Sequence, residues 1–240
     1  MKTARLFDYS IFNSNEKDAI SVALRLIEGN KPAQIVTINP EMINLGFKNE
    51  EFASLLQEAD LLLPDGVGIK LALSIMGEKS SKIAGVDLAY KLLQECEKSG
   101  DTVALIGASE NVITKTIEKL NEKMPDLKIV YSHNGFFEDE NILFEELKKN
   151  APALTLVALG SPKQEFFIQK AKKHLKNGLL IGVGGSFDVW SGEVKRAPKI
   201  YQKLGLEWLY RTISQPQRFK RIFPALPLFL LKVIRTKIGV

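Results

Sequence analysis

The sequence predicts an α/β fold in which a mostly parallel sheet is covered by helices on both faces. Six short apolar runs alternate with segments of helical pattern along the 240 residues. Most of these runs show no polar alternation, which is typical of strands buried on both faces. The repeated order of strand and helix predicts parallel strands joined by right-handed crossovers.

The predicted strands are the apolar runs Gln34–Ile38, Asp60–Leu63, Thr102–Ile106, Lys128–Ser132, Leu154–Leu159 and Leu179–Val183. The predicted helices are Glu16–Glu28, Glu50–Glu58, Gly66–Met76, Val86–Lys98, Glu110–Met124, Glu138–Asn150 and Gln164–Leu175. Apolar residues recur at helical spacing within Val86–Lys98, and Cys96 belongs to that stripe. We therefore expect the Cys96 thiol to lie in the core.

The composition is that of an ordinary globular protein. Hydrophobic residues make up 45% of the chain and charged residues 25%, which excludes disorder, collagen and coiled coil. A single cysteine excludes a disulfide scaffold and favours a reducing compartment. The first residues do not have the pattern of a signal peptide, and no apolar run reaches the roughly 20 residues of a spanning helix.

Charge is distributed unevenly along the chain. Residues 195–240 carry eleven Lys or Arg and one acid, Glu207, whereas residues 1–194 carry 22 basic and 27 acidic residues. We therefore predict a catalytic α/β domain over 1–194 and a basic appendage over 195–240. The appendage pattern is helical over Arg196–Ser214 and is broken by Pro216. Its charge indicates an anionic partner: nucleic acid, a phosphate-bearing substrate or a membrane surface.

The most apolar part of the appendage is Ile222–Leu231, between Arg221 and Lys232. This run is too short to span a bilayer and contains Pro224 and Pro227. It could lie in the interface of an anionic membrane. Alternatively, it could pack on the body or on another subunit.

The residues that follow the predicted strands indicate a ligand site. Ligands of open α/β sheets bind beyond the carboxyl ends of the strands, and small or polar residues follow every strand here. Glycine permits close approach of a ligand to the backbone, so Gly107, Gly184 and Gly185 are candidate binding residues. Helix N-termini at this edge can donate to phosphate. The pattern predicts a nucleotide or sugar-nucleotide site, although neither GxGxxG nor a Walker loop is present.

Two aspartates are candidates for catalysis. Asp65 follows a strand between Pro64 and Gly66, where its carboxylate could act as a general base or could cap the next helix. Asp188 competes for the same role and could instead accept a hydrogen bond from a sugar hydroxyl.

The sequence predicts neither a metal site nor a cofactor. None of HxH, HExxH, CxxC or DxD occurs. Phosphate charge must then be met by basic side chains, helix N-termini and backbone N–H groups. Arg211, Arg218 and Arg221 offer guanidinium groups suited to phosphate, although they could also form a solvated basic face.

Seven motifs occur in order between residues 33 and 221. They are Thr37-x-Asn39-Pro40-Glu41, Pro64-Asp65-Gly66-x-Gly68, Ala84-Gly85-x-Asp87-Leu88, Gly160-x-Pro162-Lys163-Gln164-Glu165, Gly182-Val183-Gly184-x-x-Phe187-Asp188-x-x-x-Gly192, Arg196-Ala197-Pro198, and Gly205-Leu206-Glu207-Trp208-Leu209-x-Arg211 followed by Pro216-x-Arg218-x-x-Arg221. Together they resemble the bacterial WecG/TagA/CpsF glycosyltransferases of cell-surface polysaccharide and wall teichoic acid assembly.

The resemblance implies a Rossmann-like fold with a basic helical appendage. It implies metal-independent, inverting transfer of N-acetylmannosamine or a related sugar from a UDP-sugar. The acceptor would be a polyprenyl-diphosphate-linked N-acetylglucosamine. The enzyme would be cytoplasmic and held peripherally on the inner face of the plasma membrane by its tail.

The resemblance also assigns residues. Asp65 matches the general base, and Thr37, Asn39 and Gln164 match pocket residues near donor and acceptor. The three tail arginines match residues that close over the site and meet the diphosphate: Arg211, Arg218 and Arg221. Lys82 departs from the family pattern, because the family usually has arginine there. Lysine keeps the charge but loses the bidentate fork.

Three other functions are weaker alternatives. A nucleotide-dependent oxidoreductase is disfavoured because GxGxxG is missing. A non-catalytic membrane-binding module would use the tail alone. A nucleic-acid binder is suggested only by the basic tail, whose prolines and apolar run fit a lipid surface better. The donor sugar, the acceptor lipid and the oligomeric state, including a homo-oligomer, stay open.

Overall fold

Eight strands form one sheet in the part of the chain that the structure describes. This structure is a computed structural model covering residues 2–81, 83–198, 200, 201, 207, 210 and 219–239, without the side chains of 219–224. The strands are β1 (Thr3–Leu6), β2 (Tyr9–Phe12), β3 (Ala33–Ile38), β4 (Leu61–Pro64), β5 (Thr102–Gly107), β6 (Lys128–His133), β7 (Leu154–Ala158) and β8 (Leu179–Gly182). Their order in space is β1-β2-β4-β3-β8-β7-β5-β6. Only β1 and β2 pair antiparallel, so the predicted mostly parallel sheet is confirmed.

Helices connect the strands. Their bounds are α1 (Glu16–Ile27), α2 (Pro40–Gly46), α3 (Glu50–Gln57), α4 (Gly66–Ile75), α5 (Gly85–Ser99), α6 (Glu110–Lys123), α7 (Glu140–Asn150), α8 (Lys163–Lys172), α9 (Ser186–Trp190) and α10 (Phe219–Ile238). Several begin at a polar side chain that accepts a hydrogen bond from the first turn, which satisfies an otherwise unpaired N–H group. These capping residues are Asn15, Asn39, Asn49, Ser109 and Asp139.

The core lies on both faces of the sheet, as predicted. Successive residues of a strand point to opposite faces, and β3 shows this directly. Ile35 packs in one apolar cluster with Leu93 of α5, whereas Val36 and Ile38 pack in another with Phe52 of α3. Burying each of these side chains stabilises the fold by about 1.5–3 kcal/mol.

Cys96 lies in the core, as its position on the helical stripe predicted. Cys96 is on α5 and is 1% exposed. Burial, assisted by the charges of Asp101 and Glu95, raises the pKa of the Cys96 thiol to about 12. The thiol therefore stays protonated at neutral pH and is not a nucleophile.

Three local elements differ from the sequence-based expectation. The six predicted strands are present, but the hairpin of β1 and β2 was not predicted. Its two strands have only four residues each, too few for an alternation pattern to be distinctive. The short helices α2 and α9, of seven and five residues, were also not predicted, because two turns or fewer show no distinct helical periodicity.

The C-terminal helix α10 packs on the body. Phe229 and Val233 are fully buried in the cluster formed with α2 and α4, and the Asn44 side chain donates to the Ala225 carbonyl at 2.8 Å. The helix continues through Pro224 and Pro227. Among the described helices, none is both long and apolar enough to cross a bilayer. The predicted helix Arg196–Ser214 and its break at Pro216 lie mostly outside the described residues.

Candidate active site

A cavity of about 360 Å³ opens at the carboxyl ends of β3, β4, β7 and β8. Its size is in the range of small-molecule sites. After β3 the chain passes to α2 on one face of the sheet, and after β8 it passes to α9 on the other. Strands β3 and β8 are neighbours in the sheet, and the segments after them leave to opposite faces. Open α/β sheets bind ligands in the crevice at such a position.

The first wall of the cavity comes from the end of β3. Thr37 and Asn39 are half-buried and line it. The Asn39 side-chain oxygen accepts from the Met42 backbone N–H at 3.1 Å, so this residue also starts α2. A Cβ atom on Gly85 would lie 2.8 Å from the Thr37 methyl carbon. Glycine at the start of α5 therefore allows this helix to approach Thr37 closely.

Asp65 lies at the end of β4, in the cavity. It occupies the N-cap position of α4, but its side chain makes no capping hydrogen bond. Its backbone N–H donates to the Ile38 carbonyl at 3.0 Å, which holds the turn against β3. Gly66 follows with a φ of +79°, a conformation that favours glycine. The capping interpretation of Asp65 is therefore not supported by its contacts.

The loops after β7 and β8 meet at Gln164. This side chain is 6% exposed and lines the cavity. Its oxygen accepts from the Gly184 backbone N–H at 3.0 Å, and its nitrogen donates to the Glu165 carboxylate at 2.7 Å. A Cβ atom on Gly182 would lie 2.5 Å from the Gln164 nitrogen, so only glycine leaves room for this arrangement.

Residues of the appendage close one side of the cavity. Glu207, Ala225 and Leu226 all line it. A Cβ atom on Gly68 would lie 2.5 Å from the Pro40 ring and 2.9 Å from Leu226. The glycine therefore lets α4, α2 and α10 converge at the rim.

An ion-pair cluster joins the appendage to the body beside the cavity. Arg196 donates two hydrogen bonds to the Asp87 carboxylate, at 2.5 and 2.6 Å. The Arg196 Nε atom lies 3.6 Å from a carboxylate oxygen of Glu207. Hydrogen bonding to Asp87 raises the pKa of Arg196. The bidentate geometry suits arginine and cannot be reproduced by lysine.

We expect Arg196→Lys to weaken the ion-pair cluster that joins the appendage to the body beside the cavity. Loss of the fork should lower the free energy of unfolding by about 1 kcal/mol, because Asp87 is partly solvated. Displacement of Glu207 at the cavity should lower kcat/KM by about tenfold. Thermal unfolding and steady-state turnover measure the two effects. Lys119→Met, which breaks an exposed bridge to Glu122, is the control; turnover equal to wild type in Arg196→Lys would contradict this role.

The structure brings most of the described candidate residues together. The cavity is lined by Thr37, Asn39, Asp65, Gln164, Gly184 and Gly185. Lys82, Arg211 and Arg218 lie outside the described residues, as does the side chain of Arg221.

Gly107 and Asp188 do not line this cavity. Gly107 ends β5 with a φ of +122°, and a Cβ atom there would lie 2.4 Å from the Ala158 carbonyl oxygen. This glycine therefore serves close strand packing. Asp188 lies on α9, where its backbone carbonyl accepts from the Val194 N–H at 2.9 Å.

Sequence reasoning assigned no role to Glu165, Arg196 or Glu207. All three belong to the seven family motifs. The partner of Glu165 is its neighbour Gln164, whereas the partner of Arg196, Asp87, lies 109 positions away. Glu207 had a usable signal, since it is the only acid among the basic residues of 195–240.

The fold and the cavity together define a Rossmann-like α/β protein with a cavity of small-molecule size at the strand ends. The sequence model of the Glycosyl transferase WecG/TagA/CpsF family matches residues 4–240. The chain belongs to this family and is a glycosyltransferase, as the motif resemblance predicted. The match does not support the oxidoreductase, binding-module or nucleic-acid alternatives.

Two curated relatives are similar over most of their length. An N-acetylglucosaminyldiphosphoundecaprenol N-acetyl-beta-D-mannosaminyltransferase of Bacillus spizizenii is 36% identical over 210 residues, covering 87% of this chain and 81% of the relative. A protein of the same name from Bacillus subtilis is 33% identical over 237 residues, covering 98% of this chain and 92% of the relative.

Proposed function

We propose that this enzyme transfers N-acetylmannosamine from a UDP-sugar to a polyprenyl-diphosphate-linked N-acetylglucosamine, with inversion at the anomeric carbon. Both relatives are named for N-acetyl-β-D-mannosaminyl transfer to N-acetylglucosaminyldiphosphoundecaprenol. The observation that carries the proposal is the position of Asp65. The residue lines the cavity beside the first residues of α4 and α5.

Asp65 acts as the general base in this proposal. The acceptor hydroxyl oxygen attacks the anomeric carbon of the donor as the bond from that carbon to the phosphate oxygen breaks. The hydroxyl proton passes to the Asp65 carboxylate. UDP leaves with the bonding electron pair, and the single displacement inverts the configuration.

Backbone groups at the cavity offer charge stabilisation for the diphosphate. The first residues of α4 and α5, Gly66 and Gly85, line the cavity. Helix N-termini carry partial positive charge and unpaired N–H groups, both favourable to phosphate. We propose Lys82, Arg211, Arg218 and Arg221 as the cations that complete this environment, on the motif resemblance.

We expect turnover to be insensitive to chelation. The chain has no DxD motif, and the proposed phosphate ligands are basic side chains and N–H groups. Addition of excess EDTA should change the rate of UDP release by less than about twofold. An enzyme that held the donor diphosphate through a metal ion would instead lose most of its rate. Recovery of a lost rate by Mg²⁺ or Mn²⁺ would contradict the metal-independent mechanism.

The appendage has a second proposed role at the membrane. Four apolar residues of α10 are exposed and recur at helical spacing: Leu228, Leu231, Ile234 and Ile238. Lys232 and Arg235 flank them on the same helix. An apolar face bordered by basic residues binds the headgroup region of anionic bilayers. Such contact would bring the cavity to a lipid-linked acceptor.

A donor panel tests the proposed function. UDP-N-acetylmannosamine, its uronic acid and UDP-N-acetylglucosamine are each supplied with a short polyprenyl-diphosphate N-acetylglucosamine. We expect UDP release and a disaccharide-lipid product with the first donor, identified by mass and by the configuration of the new bond. Transfer only from another donor would overturn the sugar assignment. A retained configuration would overturn the single displacement.

A further inference from the structure

Glu165 is a buried acid next to the cavity that the proposed displacement does not use. The residue is 1% exposed on α8. One carboxylate oxygen accepts a hydrogen bond from the Gln164 side chain at 2.7 Å. The other oxygen is buried and makes no hydrogen bond of ordinary geometry within the described residues, although the nearby Ser161 hydroxyl also stabilises the carboxylate. An arrangement of this kind requires an explanation other than packing.

The contacts of Gln164 give the amide one orientation only. The Gly184 backbone N–H can only donate, so it selects the amide oxygen. The Glu165 carboxylate accepts, so it selects the amide nitrogen. That nitrogen carries a second hydrogen, for which the described residues supply no further acceptor. Because Gln164 lines the cavity, this second N–H is available to an oxygen of a bound ligand.

Burial of Glu165 is unfavourable for the folded state. Burial raises the pKa of the Glu165 carboxyl, and hydrogen bonding from the Gln164 amide and the Ser161 hydroxyl opposes this shift. An apolar side chain of similar shape would avoid the desolvation of a charged group. Local choices that disfavour stability are expected at functional positions. The carboxyl therefore has a role that an apolar residue could not take.

We propose that Glu165 is a positioning residue, whose carboxylate holds the Gln164 amide so that its second N–H meets an oxygen of the donor sugar or diphosphate. This inference rests on the proposed transferase reaction. Glu165 does not touch the substrate itself and acts only through Gln164. The same amide joins the loop after β7 to the loop after β8, so its orientation also keeps the Gly184 N–H in place.

The test compares two substitutions of similar shape. Glu165→Met removes the acceptor, and we expect kcat to fall roughly 10- to 100-fold while the unfolding temperature is equal to or above that of wild type. Glu165→Gln keeps an accepting oxygen and should stay within about threefold of the wild-type kcat. UDP release at saturating donor and acceptor measures kcat, and thermal unfolding reports the fold.

The Gln164→Ala background decides whether Glu165 acts through the amide. If it does, adding Glu165→Met to Gln164→Ala should cause no further loss of kcat. An independent loss in the double variant would overturn the proposal. So would wild-type kcat in folded Glu165→Met, or an equal loss in Glu165→Gln. Absence of turnover by the wild-type enzyme would instead refute the transferase function, which keeps the two failures distinguishable.

Discussion

Asp65→Asn is expected to lower kcat by about 10²- to 10⁴-fold, the usual contribution of a positioned base. Asparagine has nearly the same shape as aspartate but cannot take the proton of the acceptor hydroxyl. The fold should persist, because the asparagine side chain keeps this shape and an oxygen that can still accept a hydrogen bond. Donor binding should persist too, since the carboxylate is proposed to act on the acceptor. UDP release and calorimetric titration of UDP-sugar measure the two properties.

Asp188→Asn is the matched control for this variant. Asp188 is the competing carboxylate in the sequence, and the structure places it outside the residues that line the cavity. We expect a kcat close to that of wild type. A large loss in Asp188→Asn together with normal turnover in Asp65→Asn would reverse the assignment of the base.

Replacing the exposed apolar face of α10 by serine is expected to abolish binding to anionic vesicles. The four positions are Leu228, Leu231, Ile234 and Ile238. Burial of such side chains stabilises by about 1.5–3 kcal/mol each when complete, so even partial insertion predicts about a 100-fold loss of vesicle affinity or more. Turnover of a short, water-soluble acceptor should change little, because none of these residues lines the cavity. Sedimentation with phosphatidylglycerol vesicles measures the binding.

The opposite face of the same helix supplies the control. Phe229 is fully buried against the body, so Phe229→Ala should lower the free energy of unfolding by about 3–5 kcal/mol rather than act on lipid. Its vesicle affinity, measured on the folded fraction, should resemble that of wild type. If the serine variant kept full vesicle binding and changed only the oligomeric state, the exposed face would be a contact between copies of the chain.

Local patterns predicted the sheet and the place of the cavity. Strand β3 was recognisable because an apolar run buried on both faces differs from a helical stripe. Asp65 was recognisable because the carboxyl ends of parallel strands meet at one edge, whatever their order in the sheet. The family motifs added roles to Thr37, Asn39 and Gln164, which the structure places in one cavity. Their chemical roles are still predictions.

Contacts between distant segments were beyond sequence reasoning. Arg196 binds Asp87 from 109 positions away, and no local pattern specifies that meeting. Only packing shows which face of α10 is covered, since Phe229 and Leu228 are neighbours of similar hydrophobicity but opposite exposure.

The sequence by itself determined the α/β class, the strand-end position of Asp65 and the charge difference between body and appendage. Each depends on periodicity or composition, which are properties of neighbouring residues. The tertiary structure decided that Gln164 is oriented between Glu165 and Gly184, and that Glu207 forms a wall of the cavity. The first depends on hydrogen bonds between buried groups, and the second on contact between segments distant in the sequence. Both are settled only when the whole chain packs.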